Sequence, residues 1–149
     1  AGAFPPLVGY AAISNNLTLE AIYLFLIIFF WTPPHFWALA IMIKDDYEKA
    51  NIPMLPVVKG IKNASLQILL YSILLVLITT LTVTISSSLG WIYVISSIIL
   101  GAILIIMAFQ LYKKQDRASA VSIYKYSLLY LFLLIGFVMA DSSIKYLEI

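Results

Sequence analysis

Long hydrophobic runs separated by short polar segments dominate the chain. Four of these runs are long enough to cross a membrane, at residues 17–43, 64–85, 91–112 and 126–146. A helix rises about 1.5 Å per residue, so about 20 residues cross a hydrocarbon core about 30 Å thick. An apolar stretch at residues 1–13, closed by a polar turn at 14–16, predicts the end of a further span. The pattern therefore predicts an all-α polytopic transmembrane helix bundle with four full spans and a partial one.

Two proline pairs interrupt this pattern. Pro5-Pro6 lies in the partial span and Pro33-Pro34 lies in the first full span. Proline removes a backbone donor and clashes with the preceding helical turn. We therefore expect the partial span to be broken at Pro5-Pro6, and the first full span to kink or break near Trp31-Thr32. The abrupt apolar start at Ala1, without a methionine or a signal-peptide pattern, predicts that the sequence is a piece of a longer protein.

Composition agrees with a membrane protein and excludes several kinds of site. The sequence is 63% hydrophobic and only 11% charged, with a mean hydropathy of +1.03, whereas soluble domains carry about 25% charged residues. Without cysteine, the sequence has no disulfide, thiolate nucleophile or Cys-ligated metal. Its single histidine excludes paired-His metal sites and bis-His haem ligation within this sequence. The net charge of +2 does not indicate nucleic-acid binding.

The basic residues predict the orientation of the spans. The loop at 44–62 holds four lysines and the loop at 113–125 holds three lysines and Arg117, while the turns at 14–16 and 86–90 hold none. Alternation of the spans places both basic loops on one side of the membrane. By the positive-inside rule they face the cytoplasm, so we expect a multi-pass protein of the plasma membrane with the loop at 44–62 in the cytoplasm.

Small residues four positions apart predict close helix contacts. Ser97 with Gly101, and Gly136 with Ala140, each place two small side chains on one face of a predicted span. In membranes such pairs let two helix backbones approach each other.

The charged loop is the first candidate for chemistry. Residues 44–62 contain Asp45, Asp46 and Glu48 as well as their four lysines. One interpretation is a solvated loop in which Asp45–Lys49 and Lys44–Glu48 support a short helix as i,i+4 pairs. The other is a site for a metal-bound diphosphate, because carboxylates bind Mg²⁺ and ammonium groups pair with phosphate oxygens. Spacing leaves both interpretations open.

His35, the only histidine, lies within the Pro-broken span and is the second candidate. A histidine inside a membrane helix usually faces the bundle interior or a cavity. It is either a hydrogen-bonded interior residue or a functional group that contacts haem, transfers a proton or polarises a substrate. Trp31, Phe36 and Trp37 beside it either line an apolar pocket or anchor the helix at the membrane interface.

The same region resembles a known family. Residues 32–40 read Thr-Pro-Pro-His-Phe-Trp-Ala-Leu-Ala, residues 44–47 read Lys-Asp-Asp-Tyr, and residues 52–58 read Ile-Pro-Met-Leu-Pro-Val-Val, followed by Gly60. This run is similar to the signature of the protohaem IX farnesyltransferase (haem O synthase) family, a branch of the UbiA-type intramembrane prenyltransferases. The opening at residues 1–10 resembles the same family's Gly-Ala-x-Pro-Pro-Leu-x-Gly segment.

The resemblance implies a bundle of about nine helices around a cavity, and transfer of farnesyl from farnesyl diphosphate to a vinyl group of haem B with Mg²⁺ assistance. The implied catalytic residues are Asp46, Asp45, Lys44 and His35, and both aspartates would bind the metal. The implied substrate-binding residues are Trp37, Tyr47, Phe36, Lys49 and Lys59. The implied partners are haem B, farnesyl diphosphate, the lipid bilayer, and haem A synthase or terminal oxidase assembly as the recipient of the product.

The family also uses an Asp-rich first motif, which this sequence does not contain. The resemblance therefore implies that this chain carries half of the Mg²⁺–diphosphate site and is inactive alone. Two alternatives remain open: another UbiA-type prenyltransferase with a quinone or chlorophyll-like acceptor, and a non-catalytic transmembrane haem-associated subunit.

Overall fold

A computed structural model describes residues 2–86 and 89–147, with side chains as far as Ile144. Ala1, where the predicted partial span opens, lies outside the described residues. The helices are α1 (Pro5–Ser14), α2 (Leu19–Met42), α3 (Lys44–Lys49), α4 (Leu55–Val58), α5 (Gly60–Leu81), α6 (Trp91–Lys114) and α7 (Arg117–Leu147), with a 3₁₀ turn at Thr82–Thr84. Among the described residues, α2, α5, α6 and α7 are long and apolar enough to cross a membrane. The predicted all-α class and the four full spans are confirmed.

The four long helices form a closed ring. Helix α2 packs against α5 and α7, and α6 packs against the same two helices from the opposite side. The connections from α5 to α6 and from α6 to α7 are short, as between antiparallel helices of other bundles, whereas α3 and α4 lie between α2 and α5. The buried core has two layers: Ala38, Ile41, Ala64, Ile68, Ala108, Leu111, Ala120 and Ile123 near α3, and Ile27, Leu75, Leu89, Tyr93, Leu100, Leu104, Tyr130 and Leu134 farther from it.

The first proline pair begins a helix. Helix α1 starts at Pro5, with both prolines in its first two positions. Proline is favoured there because a backbone N–H in the first turn would have no acceptor within the helix, and because its fixed φ suits a helix. Residues 2–4 are not helical and α1 begins at Pro5, so the predicted interruption at Pro5-Pro6 coincides with a helix start. The helix ends where the polar turn was predicted, with Asn15 in the left-handed region at φ 52°.

The second proline pair lies inside its helix and does not break it. Helix α2 runs without interruption from Leu19 to Met42 with both prolines inside it. Thr32 Oγ1 donates a hydrogen bond to the Ile28 carbonyl at 2.7 Å, one turn back. Pro34 is buried in the bundle, and packing against neighbouring helices lets membrane helices tolerate the lost backbone hydrogen bonds. The expected break near Trp31-Thr32 is wrong for this reason, while a kink there stays a prediction.

Two helices extend beyond their apolar segments. Helix α5 begins at Gly60 and α7 begins at Arg117, so most of the predicted loop at 113–125 is helical. Only Gln115 and Asp116 connect α6 to α7. Asp116 Oδ1 accepts a hydrogen bond from the Ser119 N–H at 2.8 Å, and its hydrogen bonds with Ser119 lower the pKa of this exposed carboxyl. Hydropathy misses such charged helix ends because long basic side chains reach water from a helical backbone.

One of the two small-residue pairs lies at a close contact. A Cβ atom built on Gly101 of α6 would lie 2.6 Å from Cγ1 of Val76 on α5, so this crossing requires glycine. A Cβ atom on Gly136 would meet nothing within 4 Å. The predicted close approach is confirmed at Gly101, and no helix approaches Gly136 in the described part of the chain.

The end of the bundle farthest from α3 is fixed by a buried carboxylate. Asp141 on α7 accepts hydrogen bonds from the backbone N–H groups of Gly90 and Tyr93, at the start of α6. A carboxylate in this position satisfies free N–H groups and interacts favourably with the positive end of the helix dipole.

Candidate functional site

A polar cavity of about 410 Å³ lies at the junction of α2 and α3. We call it the first cavity. Its lining comprises Ile41, Met42, Ile43, Lys44, Asp45, Asp46, Lys49, Ile61 and Arg117. Two carboxylates and three cationic side chains thus meet at one end of an otherwise apolar bundle.

The charges of α3 follow from how this helix is attached. Helix α2 ends at Met42, and α3 starts at Lys44 after the single residue Ile43. Both aspartates occupy the first turn of α3, where carboxylates are favoured. The connection therefore holds the charged helix against the end of the bundle.

The predicted i,i+4 pairs of α3 behave differently. Lys44 Nζ lies 3.8 Å from Glu48 Oε2, whereas Asp45 and Lys49 form no ion pair among the described residues. The side chains of Asp45 and Asp46 are exposed, and neither forms a hydrogen bond in the described part of the chain. The solvated-helix interpretation thus accounts for Lys44 and Glu48 and leaves both aspartates available to a ligand.

Arg117 is a member of the first cavity that sequence reasoning did not select. It begins α7, and its Nε donates a hydrogen bond to the carbonyl of Met42, the last residue of α2, at 3.0 Å. Its charge was assigned to the second basic loop, which indicated the side of the membrane but not this contact. Only the packing of α7 against α2 brings Arg117 to α3.

His35 lies inside the bundle and does not line the first cavity. Its ring stacks between Trp31 and Tyr124, with centroid distances of 4.5 and 4.6 Å. Its Nδ1 lies 2.7 Å from Ser127 Oγ, and that hydroxyl donates to the Tyr124 carbonyl at 2.8 Å. With the Ser127 hydroxyl donating to Tyr124, a neutral His35 ring donates from Nδ1 to Ser127 and has Nε2 as an acceptor.

The residues with implied substrate-binding roles are divided among four places. Lys49 lines the first cavity, while Trp37 and Lys59 line a second cavity of about 440 Å³ with Leu55, Asn63 and Gln67. Phe36 is half exposed and meets the His35 ring edge-on at 5.5 Å. Tyr47 is half-buried in α3.

The donor set fits a metal only in part. The described residues contain no group of three His, Asp or Glu side chains able to hold a metal ion. Asp45 and Asp46 supply two carboxylates, whereas Mg²⁺ takes six oxygen ligands and often keeps several waters and substrate phosphates. The pair therefore suits a metal that arrives already bound to a diphosphate.

Comparisons with known proteins agree on one family. The model of the UbiA prenyltransferase family matches residues 1–140. A protein of Thermus thermophilus, named protoheme IX farnesyltransferase, is 49% identical over 144 residues, which cover 97% of this chain and 24% of that protein. Proteins of the same name from Neorickettsia sennetsu and Legionella pneumophila are 46% identical over 145 residues and 45% identical over 141 residues.

The shares of those two proteins that are covered are 47% and 48%, with 97% and 95% of this chain. The chain thus spans between about a quarter and about half the length of the curated relatives it matches. No solved structure matches the chain.

Proposed function

Because the chain belongs to the UbiA prenyltransferase family, we propose that it supplies part of the active site of a haem O synthase. The reaction transfers farnesyl from farnesyl diphosphate to a vinyl group of haem B and releases diphosphate. The names of the relatives support the reaction, and the observation that carries the proposal is the mixed charge of the first cavity. Two carboxylates and three cations at the end of an apolar bundle suit a lipid-soluble diphosphate.

The leaving diphosphate is the main electrostatic task of this reaction. Asp45 and Asp46 would bind the Mg²⁺ that enters with farnesyl diphosphate and neutralises the leaving group. Lys44, Lys49 and Arg117 would donate charge-assisted hydrogen bonds to the phosphate oxygens. These groups stabilise the negative charge that develops as the carbon–oxygen bond breaks.

The reacting carbons need an apolar environment. Cleavage gives an allylic cation that water would capture too early, so the aromatic side chains of Phe36 and Tyr47 would shield it. The hydroxyl group of the product comes from water that adds to the former vinyl carbon and loses a proton. His35, with Nε2 as an acceptor, is our candidate for receiving this proton.

A segment swap tests the reaction. In the test protein, which we call the swap, this chain takes the place of the 145 aligned residues of the Neorickettsia sennetsu relative. Membranes that contain the swap are supplied with haem B, farnesyl diphosphate and Mg²⁺. We expect haem O by mass spectrometry from the swap and from the unmodified relative, and none from this chain alone. A swap that is inserted as well as the relative but forms no haem O would refute the proposal.

We also propose that the α3 end faces the cytoplasm and that the membrane is the plasma membrane. The support is the clustering of basic residues at that end. Since the chain has no cysteine, Lys49→Cys and Ile13→Cys report the two ends separately. An impermeant thiol reagent should label only Ile13→Cys in intact cells, and labelling of Lys49→Cys there would reverse the orientation.

A product as apolar as haem O should stay in the membrane, so we propose direct hand-over to haem A synthase or to terminal oxidase assembly. Cross-linking in membranes that make haem O should capture such a partner. Its absence after saturating cross-linking would argue for release into the lipid.

A further inference from the structure

The second cavity shares no lining residue with the first. It lies between α2, α4 and the start of α5, and its polar groups are Lys59, Asn63, Gln67 and the indole of Trp37. The first cavity has two carboxylates among its lining residues, whereas the second has none. One end of the bundle therefore carries two polar cavities of different chemistry.

Three hydrogen-bond donors of the second cavity have no protein partner. In the described part of the chain, the Lys59 ammonium, the Gln67 amide and the Trp37 indole N–H form no hydrogen bond or ion pair. The indole of Trp31 on the same helix does donate, to the Ser127 carbonyl at 2.7 Å. A tryptophan on α2 can therefore find an acceptor within the bundle, whereas the indole N–H at the second cavity has none among the described residues.

Of the three donors, Gln67 lies within a membrane-spanning helix. It lies about 10 Å along α5 from Gly60, two turns into a membrane-spanning helix, and its side chain is only partly exposed. Its amide forms no hydrogen bond with the described part of the chain, so both its N–H groups are free to donate. A ligand that accepts hydrogen bonds would pair with them.

An aromatic surface continues from the cavity along α2 and α5. The rings of Trp37 and Tyr71 meet edge to face with centroids 5.3 Å apart, and Tyr71 meets Phe30 at 6.0 Å. Phe30 in turn contacts Phe29 at 5.4 Å. A flat apolar ring system can pack against such side chains while its polar groups occupy the cavity.

We infer that the second cavity binds a carboxylate of a flat macrocycle, which in the proposed function is a propionate of haem B. One ammonium and neutral donors match a group of charge −1. A diphosphate carries more charge and fits the first cavity, with its three cations and two metal-binding carboxylates. The two substrates thereby enter separate cavities at the same end of the bundle, one through its carboxylates and the other through its phosphates.

Haem binding to the purified swap tests this assignment without any turnover. The probes are haem B and its dimethyl ester, which lacks free carboxylates, titrated by Soret absorbance. We expect Lys59→Met to weaken haem B binding about tenfold and Gln67→Leu to weaken it about threefold. The control Lys62→Met removes an exposed lysine in the first turn of α5 that lies outside this cavity, and it should change nothing.

The ester separates recognition from misfolding. It should bind the unmodified swap more weakly than haem B does, and equally well in all variants. The inference fails if the ester binds as tightly as haem B, or if Lys62→Met weakens binding as much as Lys59→Met. It also fails if Lys59→Met alters binding of short-chain phosphatidylglycerol but not of haem B, because the occupant is then a lipid phosphate.

The inference rests on the proposed function, but the two can fail separately. A swap that forms no haem O yet distinguishes haem B from its ester through Lys59 keeps the inference and refutes the reaction. A swap that forms haem O with the same haem affinity in Lys59→Met keeps the reaction and refutes the inference.

Discussion

Arg117 joins the first cavity from a distant part of the chain, through its hydrogen bond to the Met42 carbonyl. In the proposed reaction it would pair with a phosphate oxygen of farnesyl diphosphate. We expect Arg117→Gln to raise the KM for farnesyl diphosphate about tenfold and to leave haem B affinity unchanged. Steady-state haem O formation by the swap measures both.

Lys114→Gln is the matched control for this prediction, because Lys114 is exposed at the end of α6 and does not line the first cavity. Arg117→Lys, which keeps the charge but loses the planar guanidinium, should recover part of the loss. An unchanged KM in Arg117→Gln would show that Arg117 only ties α7 to α2.

At the residue scale, the sequence predicted the site residues that lie close together along the chain. It missed the residue that only the packing of the helices brings to them. One short helix, α3, carries Asp45, Asp46, Lys44 and Lys49. Their spacing along the chain therefore predicted that they lie close together. Arg117 reaches the same cavity only because α7 packs on α2. The interior hydrogen bond of His35 also depends on α7, through Ser127, and spacing along one helix cannot predict it.

The crossing of α5 and α6 depends on Gly101. A Cβ atom there would lie 2.6 Å from Val76 Cγ1 and 2.9 Å from Cγ2, and valine is too stiff to turn aside. We expect Gly101→Ala to lower the free energy of unfolding by about 1–3 kcal/mol, measured by denaturant titration in detergent.

Gly136→Ala provides the comparison, since a Cβ atom at Gly136 meets nothing within 4 Å. Alanine favours helices over glycine by about 1 kcal/mol, so this variant should be as stable as the unmodified chain or slightly more stable. Equal destabilisation by both alanines would show that the crossing has no special need for glycine.

Hydropathy predicted which segments are helices better than where they end. The apolar core of each span was correct, but α5 and α7 start earlier because their first turns carry charged side chains that reach water. The first proline pair lies where α1 begins, which agrees with the interruption predicted there. The break expected at the second pair was wrong because Pro34 is buried in the surrounding bundle, which offsets its unfavourable local effect.

The whole molecule is polar at its two ends and apolar between them. Asp141 closes one end by binding backbone N–H groups of α6, and the charges of α3 gather at the other. Many large apolar side chains on the long helices are exposed, as lipid-facing or helix-facing surfaces of a membrane protein are. In the proposed function, Asp45 and Asp46 at the α3 end would supply this chain's share of the diphosphate site.

The central claim is that Asp45 and Asp46 of this chain bind the metal-bound diphosphate. The ratio of haem O formed with and without these two carboxylates tests it. Haem O formed by the swap is compared with haem O formed by the swap carrying Asp45→Asn and Asp46→Asn, each normalised to inserted protein, with Glu48→Gln as the control on the same helix. We predict a loss of roughly a hundredfold for the double variant and no loss for the control. Equal conversion by all three proteins would contradict the claim that this chain binds the metal-bound diphosphate.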